Sequence, residues 1–305
     1  MQEELAELVI APAETDADLE ALIAVRQAVD PRAHPKLENL RHARDSSTSG
    51  LVFLVGRISG GPVACGFIEA SSDDFAEGDI SVIPDRRRRG IGSALLARIS
   101  AHAKSLGKDS LQLEVRKSDE ASRRFLAHRG FTEVGGEEAV SIRLGAERPA
   151  AAPPEGIEIV SRRRHPDPVA AMFGVYVEAV QDVPGAPQGE TIESWRAREI
   201  DRPSRSPDLS FLAVASGEIV GYAVLDVFGD EGHHGFTAVK RAWRRRGVAT
   251  ALKRAQIAGA TELGLERLVT ASEERNLPMR SLNEKLGYRP DSGRSTVVMR
   301  GPLQA

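Results

Sequence analysis

Cysteine is almost absent from this chain, and its absence excludes one way of holding a fold together. Cys65 is the single cysteine among 305 residues, so no disulfide bond forms within the chain. Cys65 lies in a strand-like segment, and the sequence indicates no histidine partner for it. We therefore interpret it as a buried thiol and not as a nucleophile.

A large excess of charge and a long apolar run are missing as well. The formal net charge of −3 gives no general reason to bind nucleic acid or a membrane surface. No apolar run approaches the about 20 residues that span a bilayer. The acidic start of the chain lacks the basic segment and apolar run of a signal peptide. We expect a cytoplasmic protein without nucleic-acid or membrane partners, and we assign no metal site.

What the chain does contain is a duplication. The segments 80–96 and 237–253 share the pattern Arg-Arg-Arg-Gly-(Ile/Val)-(Gly/Ala) after a strand-like run. Four landmarks keep one offset of 157 positions: Val82 and Val239, Gly90 and Gly247, Gly107 and Gly264, Gly130 and Gly287. A constant offset through strand, turn and helix indicates two copies of one domain. Each copy has roughly 150 residues, which is enough for its own core.

The repeated turn has the chemistry of an anion site. A tight turn that opens a helix leaves backbone N–H groups without helical partners, at the positive end of the helix dipole. Phosphate is the usual occupant of such a site, and arginine supplies planar donors for its oxygens. Arginine runs alone are usually solvated turns, so the helix and the repetition carry this interpretation. No Lys-Ser/Thr follows the glycine, which excludes a P-loop, and Leu95 breaks the Gly-x-Gly-x-x-Gly pattern.

Hydrophobic patterning predicts the same order of elements in both halves. Alternating segments joined by Gly-rich turns predict a hairpin at residues 51–70 and another at residues 209–227. Apolar residues at helical spacing predict a helix after each basic turn. Each half is therefore predicted to be α+β, with a mostly antiparallel sheet and one central strand–turn–helix crossover. The predicted limits are 1–147 for the first domain, 148–156 for a Pro/Ala linker and 157–305 for the second domain.

At this point the chain resembles the GCN5-related N-acetyltransferases (GNAT superfamily), as a tandem two-domain member. The signature Arg/Gln-x-x-Gly-x-Gly/Ala matches at Arg87, Gly90 and Gly92, and again at Arg244, Gly247 and Ala249. A helix ending in Gly-Phe/Tyr matches at Arg129-Gly130-Phe131 and Leu286-Gly287-Tyr288. Asn276, Met279 and Asn283 resemble a further pattern of some members. The resemblance covers nearly the whole chain twice and implies two tandem domains, each a mixed, mostly antiparallel twisted sheet flanked by helices.

The resemblance implies acetyl-CoA as the donor substrate. Its pyrophosphate would lie on the turn amides, and its pantetheine arm would lie along the preceding strand, where one N–H would polarise the thioester carbonyl. The residues that this assigns to binding are Ile80, Val82, Arg87, Arg88, Arg89, Gly90, Ile91, Gly92 and Ser93 in the first half, and Thr237, Val239, Arg244, Arg245, Arg246, Gly247, Val248, Ala249, Thr250 and Asn276 in the second.

The proton-transfer residues are less clearly indicated. The family often places a tyrosine acid four residues before the Gly of the Gly-Phe pair, and here Leu126 and Asn283 occupy that position. All three tyrosines lie in the second half, where Tyr288 is a candidate acid and His234 a candidate base. The alternatives are a core aromatic for Tyr288, a surface turn for His233 and His234, and an exposed helix amide for Asn283. Glu69 and Glu114 are the first-half candidates, with solvent-facing strand positions as the alternative.

We therefore predict an acyl-CoA-dependent N-acetyltransferase that moves an acetyl group to a primary amine of a small molecule by direct attack. The C-terminal half is predicted to be the catalytic one. The alternatives are an acetyl-CoA-binding scaffold or sensor without turnover, and an acyltransferase that uses a larger acyl group. A monomer or a homodimer is expected.

Overall fold

The chain forms two compact units that are described separately. The computed structural model describes residues 6–71, 74–145, 152–183 and 189–304. Unit 1 comprises Met1–Gly135 and Thr296–Ala305, and unit 2 comprises Gly136–Ser295. Of the predicted linker, residues 148–151 lie outside the described residues.

Unit 1 follows the predicted order of a helical start, a hairpin, a central strand and a helix. Its elements are β1 (Val9–Pro12), α1 (Asp16–Val29), α2 (Leu37–Ser46), β2 (Val52–Ile58), β3 (Gly61–Ala70), β4 (Phe75–Val82), α3 (Ile91–Ser105), β5 (Ser110–Arg116), α4 (Glu120–Ala127) and the start of β6 (Thr132–Arg143).

Unit 2 repeats that order. Its elements are the rest of β6, then β7 (Glu158–Ser161), α5 (Val169–Val180), α6 (Ile192–Glu199), β8 (Phe211–Ala215), β9 (Glu218–Phe228), β10 (Glu231–Val239), α7 (Val248–Glu262), β11 (Arg267–Glu273), α8 (Leu277–Lys285) and β12 (Arg289–Pro290). The final strand of the chain, β13 (Thr296–Pro302), belongs to unit 1.

The sheets are mixed and mostly antiparallel, as predicted. In unit 1 the strand order is β1-β2-β3-β4-β5-β13, and in unit 2 it is β7-β8-β9-β10-β11-β6. In each unit the central crossover joins a parallel pair of strands, β4 with β5 or β10 with β11. A parallel pair requires a crossover connection, and the helix after the basic turn supplies it. The α+β class is therefore confirmed in both units.

The two copies exchange their last strands. Strand β13, from the second copy, pairs with β5 of unit 1 from Thr296↔Arg116 to Pro302↔Ser110. Strand β6, from the first copy, pairs with β11 of unit 2 from Arg267↔Arg143 to Glu273↔Glu137. The predicted limits 1–147 and 157–305 follow the repeat along the chain, whereas the compact units have the other limits given above.

Local signals fix the helix starts, with one correction. Thr15 and Asp18 form the predicted capping box at the start of α1, in which each side chain bonds the other residue's backbone N–H at 3.2 and 3.0 Å. The sequence from about His34 to Arg44 predicts a helix with Pro35 early in it. The structure starts α2 at Leu37 instead, after Lys36 in an extended conformation. The residue before a proline is biased away from the helical region, which keeps His34 outside the helix.

Candidate functional site

Each basic turn links the central strand to a helix through the same backbone path. After Val82 and after Val239 the chain forms one 3₁₀ turn, at Pro84–Arg86 and at Arg241–Trp243. The helices then begin after left-handed glycines, Gly90 with φ 87° and Gly247 with φ 84°. Neither helix start has a side-chain cap, so its first N–H groups remain open to a ligand.

The arginines of each turn contribute to the structure of the turn itself. Arg87 and Arg244 each donate Nε to the carbonyl oxygen of the strand's last residue, at 3.0 Å in both units. The next residues, Arg88 and Arg245, have φ values of +62° and +61°. A left-handed non-glycine residue costs on the order of 1 kcal/mol or more and is concentrated at functional sites. Both copies keep this strained backbone at equivalent positions, and successive N–H groups in such a turn can face an anion.

The surroundings of the two turns differ in charge. In unit 2, Asp182 accepts hydrogen bonds from Arg241 at 2.9 Å and from Arg244 at 2.6 Å. These bonds, that from Arg241 first, lower the pKa of Asp182 to about 2. In unit 1 an added cation lies at the helix start, because Arg129 donates Nη2 to Ser93 Oγ at 2.8 Å. Part of the positive charge is therefore already paired in unit 2.

The parallel strands separate partway along their length in both units. Strand β4 pairs with β5 over residues 75–78, and β10 pairs with β11 over residues 231–233. Beyond those positions no pairing joins these strands within the described ranges of the chain. One backbone edge of the last part of β4 and of β10 is therefore open. An extended ligand with amide groups can bind such an edge as an added strand does.

Unit 2 has a β-bulge at this opening and unit 1 does not. The register between β9 and β10 shifts between His234 and Thr237. The register between β3 and β4 runs without a shift from Ala64↔Val82 to Ala70↔Ala76. Bulges redirect side chains and are common beside active sites. The opening is therefore regular in unit 1 and reshaped in unit 2.

His234, just before the bulge, lies in a hydrogen-bonded chain of side chains. Gln256 donates Nε2 to the carbonyl oxygen of Leu209 at 3.4 Å, which turns its Oε1 towards His234 Nδ1 at 2.9 Å. Burial, and then the charge of Lys253, lower the pKa of His234 well below its ordinary value. A neutral His234 therefore carries its proton on Nδ1 and accepts at Nε2 from the Tyr288 hydroxyl, at 2.5 Å.

The remaining polar side chains of this group are almost completely buried. Lys253 and Asn283 are each 1% exposed and Tyr288 is 2% exposed. The Lys253 ammonium lies 5.7 Å from the centroid of the Tyr288 ring, and burial lowers the pKa of Lys253 to about 7. His234, Lys253, Gln256, Asn283 and Tyr288 are called the polar cluster below.

The equivalent positions of unit 1 form ordinary apolar core. At the offset of 157 residues, Lys253, Gln256, Asn283 and Tyr288 correspond to Leu96, Ile99, Leu126 and Phe131. All four of these are 3% exposed or less and belong to one hydrophobic cluster. The fold therefore does not require polar residues at these positions. Unit 2 therefore bears a free-energy cost of burying polar groups that unit 1 does not bear at these positions.

Several buried polar atoms near the opening of unit 2 have no partner. Among the described residues these include Thr237 Oγ1, Ser272 Oγ and both side-chain amide atoms of Asn283. A buried polar group without a partner costs about 1–3 kcal/mol. Such atoms on β10, β11 and α8 fit a bound molecule that carries amide groups.

The opposite face of the bulge carries a second buried group. The Phe236 N–H donates to Glu199 Oε1 at 3.2 Å, and burial raises the pKa of Glu199. Glu199 also forms an ion pair with Arg198 at 3.4 Å. Five aromatic rings of unit 2 form a cluster with neighbouring centroids 5.4–6.4 Å apart: Phe173, Tyr176, Trp195, Tyr222 and Phe236.

The structure places the other candidates at less informative positions. Asn276 caps α8 by accepting from the Met279 N–H at 3.3 Å, as Asp119 caps α4 in unit 1. Glu114 is exposed, and Glu69 accepts from Ser49 at 2.6 Å. Cys65 is fully buried, and its burial raises the pKa to about 12. The interpretation of Cys65 as a buried thiol is confirmed.

The second-half candidates lie close together. His233 and His234 both belong to β10 and not to a surface turn. Asn283 is buried and not exposed, and Tyr288 is a core aromatic whose hydroxyl reaches His234. The sequence-based interpretation missed Lys253 and Gln256. A comparison of the two halves at the constant offset shows both, because each replaces a core aliphatic residue.

No group of three or more His, Cys, Asp or Glu side chains within the described part of the chain is placed to hold a metal ion. Of the helices in the described ranges, none is long and apolar enough to cross a membrane.

The fold and the repeated turn define a class of protein, and comparison with known proteins names it. The family model "Acetyltransferase (GNAT) family" matches residues 19–131 and 169–288. The chain belongs to this family, in two copies, and is an N-acetyltransferase.

The chain is similar to two curated relatives that are both named mycothiol acetyltransferase. The protein from Thermobispora bispora is 28% identical over 289 residues, which cover 90% of this chain and 94% of the relative. The protein from Catenulispora acidiphila is 26% identical over 250 residues, which cover 76% of this chain and 74% of the relative.

Solved structures show the same tandem fold. A GCN5-related N-acetyltransferase from Sphaerobacter thermophilus aligns with a TM-score of 0.75 and 21% identity, over 98% of this chain and 96% of that one. A tandem GNAT protein from the clavulanic acid biosynthesis pathway aligns with a TM-score of 0.77 and 22% identity, over 98% and 99%. At these identities the likeness concerns the fold.

Proposed function

We propose that unit 2 transfers an acetyl group from acetyl-CoA to a primary amine of a small molecule. The observation that carries this assignment is the polar cluster, which occupies positions that are plain hydrophobic core in unit 1. Burying a polar group costs free energy unless it is hydrogen-bonded, and both amide atoms of Asn283 lack a partner. The bulge brings His234 to the opening between β10 and β11. Unit 1 has the anion-binding turn but only the apolar version of this site.

The residues of unit 2 fit coenzyme A along its length. The open N–H groups at the start of α7 suit its pyrophosphate. Thr237, Ser272 and Asn283 have buried polar atoms that lack partners and suit the amide groups of its pantetheine arm. The donor supplies the thioester whose acetyl group is transferred. The name acetyltransferase of both curated relatives supports acetyl as that group.

The polar cluster supplies a path for protons. The attacking amine must lose a proton and the departing thiolate must gain one. Gln256 holds His234 in the tautomer whose Nε2 accepts from Tyr288. Neutral His234 can accept a proton from the Tyr288 hydroxyl, which in turn takes one from the attacking amine. These two residues are therefore the proposed proton relay, with Asn283 as a ligand of the donor.

Unit 1 is proposed to bind the donor without turning it over. Arg129 adds a cation at the start of α3 and stacks on Phe125, with its guanidinium carbon 3.8 Å from the ring centroid. The corresponding residue of unit 2 is Leu286. We propose that the protein works in the cytoplasm on a free small molecule, without nucleic-acid or membrane partners.

Paired glycine variants test which unit is catalytic. Gly90→Glu and Gly247→Glu place the same bulky acid at equivalent φ values, so any backbone strain is matched. Calorimetry with acetyl-CoA should give two sites in the wild type and one in each variant. Only Gly247→Glu should abolish acetyl transfer. Loss of activity in Gly90→Glu with full activity in Gly247→Glu would contradict the assignment.

A panel of amines tests the reaction itself. Release of free coenzyme A should exceed background hydrolysis for at least one primary amine. A wild-type protein that binds acetyl-CoA and releases no coenzyme A with any amine would refute the transfer. Competition by longer acyl-CoA donors decides whether acetyl is the preferred group.

A further inference from the structure

Lys253 is a buried cation that the fold does not need. It lies on α7 with 1% of its surface exposed, and its unit 1 equivalent is Leu96, also 1% exposed. Burying an ammonium group without a counter-charge is strongly unfavourable. In the described part of the chain no carboxylate forms an ion pair with Lys253, and burial alone accounts for its lowered pKa. A lysine in this position therefore indicates a use for its proton.

The surroundings of Lys253 are those of the proposed transfer site. Its ammonium lies 5.7 Å from the centroid of the Tyr288 ring, and its charge helps to lower the pKa of His234. Lys253 follows the third helical residue, Thr250, by three positions. It thus lies one turn further along α7 than the residues assigned to pyrophosphate, and its ammonium is near Tyr288 and His234.

Neither Asn283 nor Tyr288 is suited to give a proton to the leaving thiolate. Asn283 occupies the position of the family's tyrosine, and an amide has no acidic proton to give. The Tyr288 hydroxyl already donates to His234 Nε2, at 2.5 Å. His234 itself is neutral because its pKa is low. On this face of β10 the remaining source of a proton is the ammonium group of Lys253.

We propose that Lys253 is the catalytic acid that protonates the sulfur of coenzyme A as the acetyl group leaves it. This inference rests on the proposed function of unit 2. The amine nitrogen forms a bond to the carbonyl carbon, and the carbon–sulfur bond breaks with its electron pair going to sulfur. One proton of the Lys253 ammonium moves to that sulfur. The proton lost by the acceptor nitrogen restores Lys253, so the products are the acetylated amine and the free thiol.

The relative acidities suit this step. The pKa of Lys253 is lowered to about 7, whereas an ordinary thiol has a pKa of about 8.5. Proton transfer from the ammonium to the thiolate is therefore downhill. The titratable groups that face Lys253 are His234, with His233 beside it on β10, and Tyr288 after α8. No carboxylate among the described residues faces it to hold the proton more tightly.

Variants of Lys253 test the step by turnover. Lys253→Met should keep acetyl-CoA affinity within about threefold and lower kcat by roughly 100-fold or more. Its profile of kcat against pH should lose the limb that falls as pH rises through about 7. Lys253→Arg keeps the charge and cannot release the proton, so it should not restore kcat. Leu96→Met is the matched control in unit 1 and should leave kcat unchanged.

A second measurement does not depend on turnover. NMR titration of the Lys253 side chain should show its pKa raised by bound coenzyme A and unchanged by desulfo-coenzyme A, because only the former brings a sulfur beside the ammonium. Equal titration with both ligands overturns the inference, and so does a kcat of Lys253→Met within about threefold of wild type. If the wild type acetylates no amine, the proposed function fails, and the NMR comparison still decides whether Lys253 faces the sulfur.

Discussion

At the scale of single residues, unit 2 buries polar side chains at positions that unit 1 fills with hydrocarbon. Lys253 is the extreme case, because its pKa falls from 10.5 to about 7 on folding. Each pKa unit corresponds to about 1.4 kcal/mol. The unfolded chain binds more protons than the folded one between those two values, so stability should rise with pH across that window.

Lys253→Leu, which copies Leu96, should therefore stabilise unit 2 by about 3–5 kcal/mol at pH 7. The gain should shrink towards pH 10.5, where the wild-type amine is neutral in both states. Both tryptophans, Trp195 and Trp243, lie in unit 2. Urea unfolding followed by tryptophan fluorescence therefore measures the unit concerned. A gain that is the same at both pH values would contradict the buried-ammonium account.

Tyr288→Phe, which copies Phe131, should separate the hydroxyl from the ring. The ring packing stays, while His234 Nε2 loses its 2.5 Å partner. Unit 2 should lose about 1 kcal/mol of stability, and kcat should fall roughly 10- to 100-fold. Acetyl-CoA affinity should be unchanged in calorimetry. A variant with wild-type kcat would show that Tyr288 is a structural aromatic only.

At the residue level, the backbone shape of the turns could be predicted because the pattern repeats, and Lys253 and Gln256 were missed because the repeat diverges there; phosphate binding by the turns stays a prediction. The turn residues follow from Arg-Arg-Arg-Gly in both halves, because backbone shape and helix polarity depend on local sequence. Lys253 and Gln256 interrupt an apolar helix stripe. Hydrophobic periodicity is recognised from the apolar positions, so single polar residues within the stripe are overlooked. The His234–Tyr288 contact joins residues 54 positions apart, which no local pattern specifies.

At the scale of elements, the two units share the central strand and the helix that follows it, and they differ in the bulge. Gly235 falls within the bulge, and a glycine inside a strand is only a weak signal for one. The strand pairing shows the bulge instead. His234 lies opposite Leu225 in unit 2, and at the equivalent place in unit 1 Gly78 lies opposite Ile68. One inserted residue thus brings an imidazole to a place held by glycine in the other copy.

The start of α3 is tied to the end of α4 by Arg129, and this link is absent from unit 2. Arg129→Leu, which copies Leu286, should weaken acetyl-CoA binding to unit 1 roughly 5- to 20-fold, since one charged partner of a phosphate is lost. Calorimetry should show one site weakened and the other unchanged, with kcat at the wild-type value. A drop in kcat would mean that unit 1 takes part in turnover.

At the scale of the whole molecule, the repeat and the compact units have different limits. The sequence predicts a last strand at residues 139–144 in the first half and at residues 295–299 in the second, and the structure has β6 (Thr132–Arg143) and β13 (Thr296–Pro302) there. An apolar strand pattern does not specify which sheet the strand joins, because both sheets offer an apolar face to the same pattern. The predicted limit at residue 147 therefore could not reveal that the last strand of each copy completes the other copy's unit.

A truncation after Ser295 should consequently damage unit 1, although most of unit 1 lies at the other end of the sequence. It removes β13, whose Val297 and Met299 are 1% and 5% exposed within the unit 1 core, and it uncovers the edge of β5. Unit 1 should become sensitive to limited proteolysis and lose hydrogen-exchange protection in β5. Tryptophan fluorescence should report unit 2 as still folded.

The milder change Gly301→Val tests the same packing, because a Cβ at Gly301 would lie 2.5 Å from Phe131. Proteolysis that instead destroys unit 2 first would contradict the exchange of strands.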